Sequence, residues 1–213
     1  MSPPIQLLEN TLSKNKTLTW QKIGASSGIL SPIIGFACIL TAVALENGFS
    51  WTNNALSDLG IIAGITGPIF DFGLFASGLL AFNFAVFGLL KYLGKVLVGK
   101  IGACVFAAGS LALVAIGVFN ENFSPTHYLV SVSFFLMMPI ALFIITCAFL
   151  LKHQTKMATF TVFIGVAAAL PWIMKLAFNY VPNVAIPEFV SGLVVSAWTI
   201  VLGTKMLNEA KPI

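Results

Sequence analysis

A chain of 213 residues that is 58% hydrophobic, only 8% charged and has a mean hydropathy of +0.98 lies far from soluble domains, in which about 25% of residues are charged. That balance excludes a water-soluble domain and points to an integral membrane protein. The net charge of +4 does not mark a nucleic-acid binder, because every basic residue is lysine and the lysines gather at one side of a series of apolar runs.

Residues 1–21 are mostly polar and read as an N-terminal cytoplasmic segment with no cleavable signal pattern. Within them PPIQLLENTL, residues 3–12, has the makings of a short amphipathic turn on the inner membrane surface. A transmembrane domain over 22–206 follows, and 207–213 is a cytoplasmic tail. Apolar runs near 20 residues cross a hydrocarbon core of about 30 Å as helices. Six such spans are read, at 22–45, 68–90, 99–119, 126–151, 157–178 and 187–206. The expected fold is an all-α integral membrane protein, a compact six-transmembrane-helix bundle rather than a pore.

Orientation follows from the lysines. With the N-terminus in the cytoplasm, Lys14, Lys16, Lys22, Lys91, Lys95, Lys100, Lys152, Lys156, Lys205 and Lys211 lie inside. Lys175 alone lies outside, beside Glu46, Asp58, Asp71, Glu121 and Glu188. The positive-inside rule then puts both termini in the cytoplasm of a multi-pass protein of the cell (plasma) membrane.

Boundary residues support the partition. Ser124-Pro125 reads as N-cap and first-turn proline of the fourth span, Pro187-Glu188 opens the sixth, and Gly67-Pro68 begins the second. Pro32 and Pro171 lie within spans and predict kinks there. Gly24, Gly28, Ala103, Ala107 and Ala108 are small residues spaced to let helices approach closely. Cys38, Cys104 and Cys147 all fall in apolar runs without CxxC spacing, so they read as small buried hydrophobes rather than a disulfide frame or zinc site. No metal and no cofactor is expected. HExxH, GxSxG and P-loop patterns do not occur.

Polar side chains are costly in a membrane and are the default functional candidates. Most of them lie at one depth. Asp71 is read into the first turn of the second span, His127 of the fourth and Glu188 of the sixth. Lys175 follows Met157 by enough residues to stand about 27 Å up the fifth span. Each has an ordinary explanation: helix-dipole pairing for the carboxylates, snorkelling for Lys175 between Trp172 and Tyr180, capping for His127, and an interhelical hydrogen bond for Asn83, deeper in the membrane. Taken together they predict more. Lys175 and Asn179 share a helix face, as do His127 and Ser131. Lys175, the sole outer cation among five carboxylates, is expected to pair with one of them. Asp58 folding back towards His127 and Lys175 would complete a polar outer pocket from Asn54, Ser57, Asp58, Asp71, His127, Ser131, Lys175, Asn179 and Glu188. Asp58 and His127 are the candidate catalytic pair.

The connector FSWTNNALSDLGIIAGITGP, Phe49 to Pro68, reads as a structured lid over that pocket, with Trp51 at headgroup depth and Ile61, Ile62 and Ile65 against the bundle or interface. FSWTNNALSDLG, then PIFDFG, then GVFNENFSPTHYLVSVSFF also resemble the archaeal and bacterial multi-pass membrane family known as domain of unknown function 998, over about residues 20–206. More distantly, the topology and the His after the third span are similar to Frag1/DRAM/Sfk1-type membrane proteins, some of them linked to lipid remodelling. The resemblance implies a small six-helix protein, commonly archaeal, with no assigned activity. It also implies that Asn is common at the position of Asp71, which makes Asp58 the better acid.

Three functions stay open on the sequence. The first is binding of a lipid headgroup or partner in the outer pocket, with membrane lipids, a second copy of the chain or another membrane protein as partners. The second is a membrane-embedded lipid- or isoprenoid-modifying enzyme using Asp58 and His127. The third is a small-solute transporter or channel, for which helices broken at Pro32 and Pro171 are the best support.

Overall fold

Hydrocarbon offers the backbone no water, so a chain that crosses it must satisfy its N–H and C=O groups internally, as helices do. The computed structural model describes residues 3–210, with side chains from Thr19 onward. Among the described residues six helices are long and apolar enough to cross a membrane, and there is no strand. They are α1 (Pro3–Leu45), α2 (Thr66–Leu93), α3 (Leu97–Val118), α4 (Thr126–Leu151), α5 (Thr155–Phe178) and α6 (Ala185–Glu209). Their ends differ from the expected spans by a turn or less, except that α1 runs back unbroken to Pro3. The amphipathic reading of residues 3–12 falls on side chains outside the described residues.

Consecutive helices pack side by side from α1 to α6, and α6 closes on α1. The six therefore form a ring, with only light contact across it between α4 and α6. Glycines make the seams tight. A Cβ added at Gly203 of α6 would lie 2.7 Å from the Ala25 carbonyl of α1. One added at Gly24 would collide with the backbone of Gly88 in α2. Gly88 lies in a π-helical turn, Phe84–Leu89, which nothing in the sequence pattern announced. Gly28, Ala103 and Ala107 are buried as expected, whereas Ala108 is exposed.

The centre of the ring is filled towards the lysine-rich end. Phe84, Phe106 and Trp198 meet there with ring centroids 5.6 to 6.2 Å apart, above fully buried Ile145, Phe149, Leu202 and Met206. Trp198 Nε1 donates to Thr161 Oγ1 at 2.9 Å and ties α6 to α5. Asn83, expected to bond across helices, instead has a buried Oδ1 with no partner among the described residues. At this end Lys152 Nζ donates to the Tyr92 carbonyl at 2.7 Å and stands 4.5 Å from that ring's centroid. Burial lowers its ammonium pKa, against the pull of Glu209.

Several boundary expectations are corrected. α4 begins after Pro125 and Ser124 makes no side-chain cap. α6 begins at Ala185, ahead of Pro187. α2 begins at Thr66, which moves Asp71 beyond the first turn, where a helix dipole offers it little. Pro32 and Pro171 lie inside helices that continue through them, as does Pro139.

Candidate functional site

Between α1 and α2, at the end away from the lysines, the chain must cover the open mouth of the ring. Its sequence folds on itself to do so. Asp58 Oδ2 accepts from Asn54 Nδ2 at 2.7 Å and from the Ala55 N–H at 3.0 Å. Asn54 Oδ1 accepts from the Ser50 N–H at 2.9 Å. These Asx-type bonds replace backbone ladders and set up the short 3-10 turn Ser57–Ile61. The turn points Leu56 and Leu59 inward, where they pack with Ile39, Phe70, Leu74 and Ile116. Ile61 and Ile65 face outward at 44% and 66% exposure. Trp51 is partly buried, edge-on to Phe49 and Phe189.

The segment is stitched down on two sides. Towards α6, the Leu56 N–H donates to Glu188 Oε2 at 2.7 Å. The Ala185 and Asn183 N–H groups donate to the Asn54 and Thr52 carbonyls, both at 3.0 Å, and Asn183 Nδ2 donates to the Asn53 carbonyl at 3.0 Å. Towards the α3–α4 connection, Ser57 Oγ donates to Glu121 Oε1 at 2.6 Å. Asn120 Nδ2 donates to the Gly60 carbonyl at 3.3 Å and to Asp71 Oδ2 at 3.2 Å. A connector with this many long-range ties is a lid.

Beneath it lies a partly open cavity of about 110 Å³. Every helix except α5 contributes to its wall: Phe36 and Ile39 from α1, Phe70 and Leu74 from α2, Phe106 and Ile116 from α3, Phe134 and Met138 from α4, Phe189 and Val195 from α6, with Leu56 of the lid as roof. Polar groups are few. Ser31 Oγ donates to the Ser77 carbonyl at 2.9 Å and lies 3.0 Å from Ser77 Oγ, so that pair is largely self-satisfied. Ser57, Ser131 and Glu188 also line the space.

The nine residues singled out from the sequence thus separate into several sets. Ser57, Ser131 and Glu188 border the cavity. Asn54 and Asp58 build the lid itself. Asp71 holds Asn120. His127 Nδ1 lies 2.7 Å from the Phe119 carbonyl, which can only accept, so that nitrogen carries the proton; Nε2 then faces Ser131 Oγ at 3.4 Å. Asp58 and His127 make no hydrogen bond to each other: Asp58 is engaged within the lid and His127 with Phe119 and Ser131. Lys175 also differs from expectation. Its ammonium meets no carboxylate but donates to Asn179 Oδ1 at 2.5 Å and to the Val181 and Pro182 carbonyls at 2.6 and 3.1 Å. It ties the end of α5 to the connection that follows, where Asn179 turns left-handed with φ 44°.

Asn120, Asn183 and the Ser31–Ser77 pair carry structural weight that sequence reading missed. The asparagines had one available signal, their place in short connectors between spans. Ser31 is marked in the sequence only by its place before Pro32.

Six apolar helices in a closed ring, with a lidded cavity at one end, define a small multi-pass membrane protein. A family model described as "Protein of unknown function (DUF998)" matches residues 29–205, and the chain belongs to that family. No curated protein and no solved structure matches it.

Proposed function

We propose that this chain resides in the plasma membrane with both termini in the cytoplasm, and that it binds the apolar part of a membrane amphiphile in the cavity under the Phe49–Pro68 lid, at the outer leaflet. The cavity is the observation that carries this reading. Helices in lipid associate chiefly through close packing, and a void forfeits those contacts. At about 24 cal/mol per Å³ an empty space of about 110 Å³ costs on the order of 2–3 kcal/mol. An occupant restores the lost contacts. A dry cavity of roughly 150 Å³ takes up benzene, so this one has room for a short length of alkyl or isoprenoid chain.

Gly192 supplies the test. It lines the cavity, and a Cβ added there meets only the Phe36 ring tip at 3.6 Å, an ordinary contact. Gly192→Leu therefore fills the space without breaking a helix seam. Native mass spectrometry of protein extracted with its surrounding lipid is expected to show one retained amphiphile per chain in the wild type and none in Gly192→Leu. The same retained species in both proteins, or in neither, defeats the proposal.

A further inference from the structure

This inference rests on the cavity reading above and concerns what kind of amphiphile enters. We infer that the occupant is cationic: an amine or quaternary ammonium group carried on a short apolar body.

Glu188 stands in the cavity wall at the lid end. One carboxylate oxygen accepts the Leu56 N–H. The other, Oε1, has no hydrogen-bond partner among the described residues, while the side chain lines the cavity. Asp58 and Glu121 hold the residues on either side of Leu56, accepting from the Ala55 N–H and the Ser57 hydroxyl, so three acids meet at this turn of the lid. The Ser57 hydroxyl is already given to Glu121. Lys175, the lysine at this end, spends its ammonium on Asn179 and two backbone carbonyls. Among the described residues the lid end of the cavity therefore holds carboxyl groups that no lysine pairs with.

A carboxyl with one oxygen unpaired in an apolar cavity sheds the cost of its charge either by keeping its proton or by meeting a cation, and a cation adds the attraction of the ion pair. The walls suit a cation as well. Phe36, Phe70, Phe134 and Phe189 surround the space, and aromatic faces attract ammonium groups, most strongly when water is excluded. A phosphate or carboxylate headgroup would meet repulsion from Glu188, Glu121 and Asp58 together. This turns the expected lipid-headgroup site around: the apolar body fills the cavity and the positive end meets Glu188.

Three probes with one tail separate the possibilities: octyltrimethylammonium, octanol and octyl phosphate. Saturable binding of each radiolabelled probe is measured on the full chain in zwitterionic nanodiscs, with empty nanodiscs subtracted. The wild type is expected to take octyltrimethylammonium roughly tenfold or more tighter than octanol and to show no saturable octyl phosphate binding. Glu188→Gln keeps an acceptor for the Leu56 N–H, and it is expected to bring octyltrimethylammonium down to the octanol level while octanol binding persists. Equal or tighter octanol binding by the wild type, or an undiminished ammonium preference in Glu188→Gln, overturns the cationic inference and leaves the cavity reading standing. No saturable binding of any probe overturns both. Should Glu188→Gln fail to fold, the ranking of the three probes on the wild type decides alone.

Discussion

Replacing Glu188 by Ala removes the acceptor that holds the middle of the lid. The Leu56 N–H is then left in a nearly closed site, since Leu56 is only 6% exposed, with no second acceptor at hand. A buried donor left without an acceptor costs about 1–3 kcal/mol, and every 1.4 kcal/mol is a factor of about ten in an equilibrium. The Leu56 amide should therefore exchange with deuterium roughly ten- to a hundredfold faster in Glu188→Ala. The flanking ties from Ala185 to Asn54 and from Asn183 to Thr52 are untouched, so the change should centre on residues 55–59 and spare 50–53. Glu188→Gln, which retains an acceptor, should keep most of the protection. Hydrogen exchange read by mass spectrometry on nanodisc-embedded protein follows all three chains. Unchanged protection at Leu56 in a folded Glu188→Ala protein would refute the reasoning, because the carboxylate would then not be what pins the lid over the cavity.

Other expectations follow from the same contacts. Gly203→Val puts a side chain against the Ala25 carbonyl at the seam where α6 closes on α1, and thermal unfolding in detergent should show a loss of about 1–3 kcal/mol; an unchanged midpoint contradicts the tight seam. Asp71→Asn retains an acceptor for Asn120 Nδ2 and should shift stability by less than about 1 kcal/mol, whereas Asp71→Leu leaves that amide only the Gly60 carbonyl and should cost about 1–3 kcal/mol; equal effects of the two would show that the bond does not matter. Lys175→Met removes three hydrogen bonds and should speed exchange at residues 179–183 while leaving probe binding in the cavity unchanged; lost binding would mean that Lys175 belongs to the site after all.

The six helices were legible in the sequence because their cause is local; their closure into a ring was not. A run of apolar residues long enough to cross hydrocarbon has only one way to satisfy its backbone, and the boundaries lie where apolar runs give way to Lys, Asn, Pro and Gly. The lid was legible for a similar reason, since TNNALSD is dense in residues that bond their own backbone. The choice of partners was not. Asp58 and Lys175 each had two classes of partner within reach, distant charges or nearby backbone, and both took the nearby one. Neighbouring groups lose little chain freedom when they pair, and backbone groups in a tight connection need partners whatever the sequence elsewhere. Glu188 did the reverse, reaching from the first turn of α6 to the lid. Nothing in IPEF distinguishes that from a carboxylate facing its own helix dipole. The cavity was hidden for a further reason: it is the space left among side chains of five helices, and no single stretch of sequence encodes an absence.

The account stands most directly on what occupies that space. A cryo-electron microscopy map of the chain, purified with its native lipid and stiffened by a bound antibody fragment, would test it. The account predicts elongated density beneath Leu56, running between Phe36, Phe134 and Phe189 with one end at Glu188. A space closed by those rings, or open but filled only with water, would contradict it.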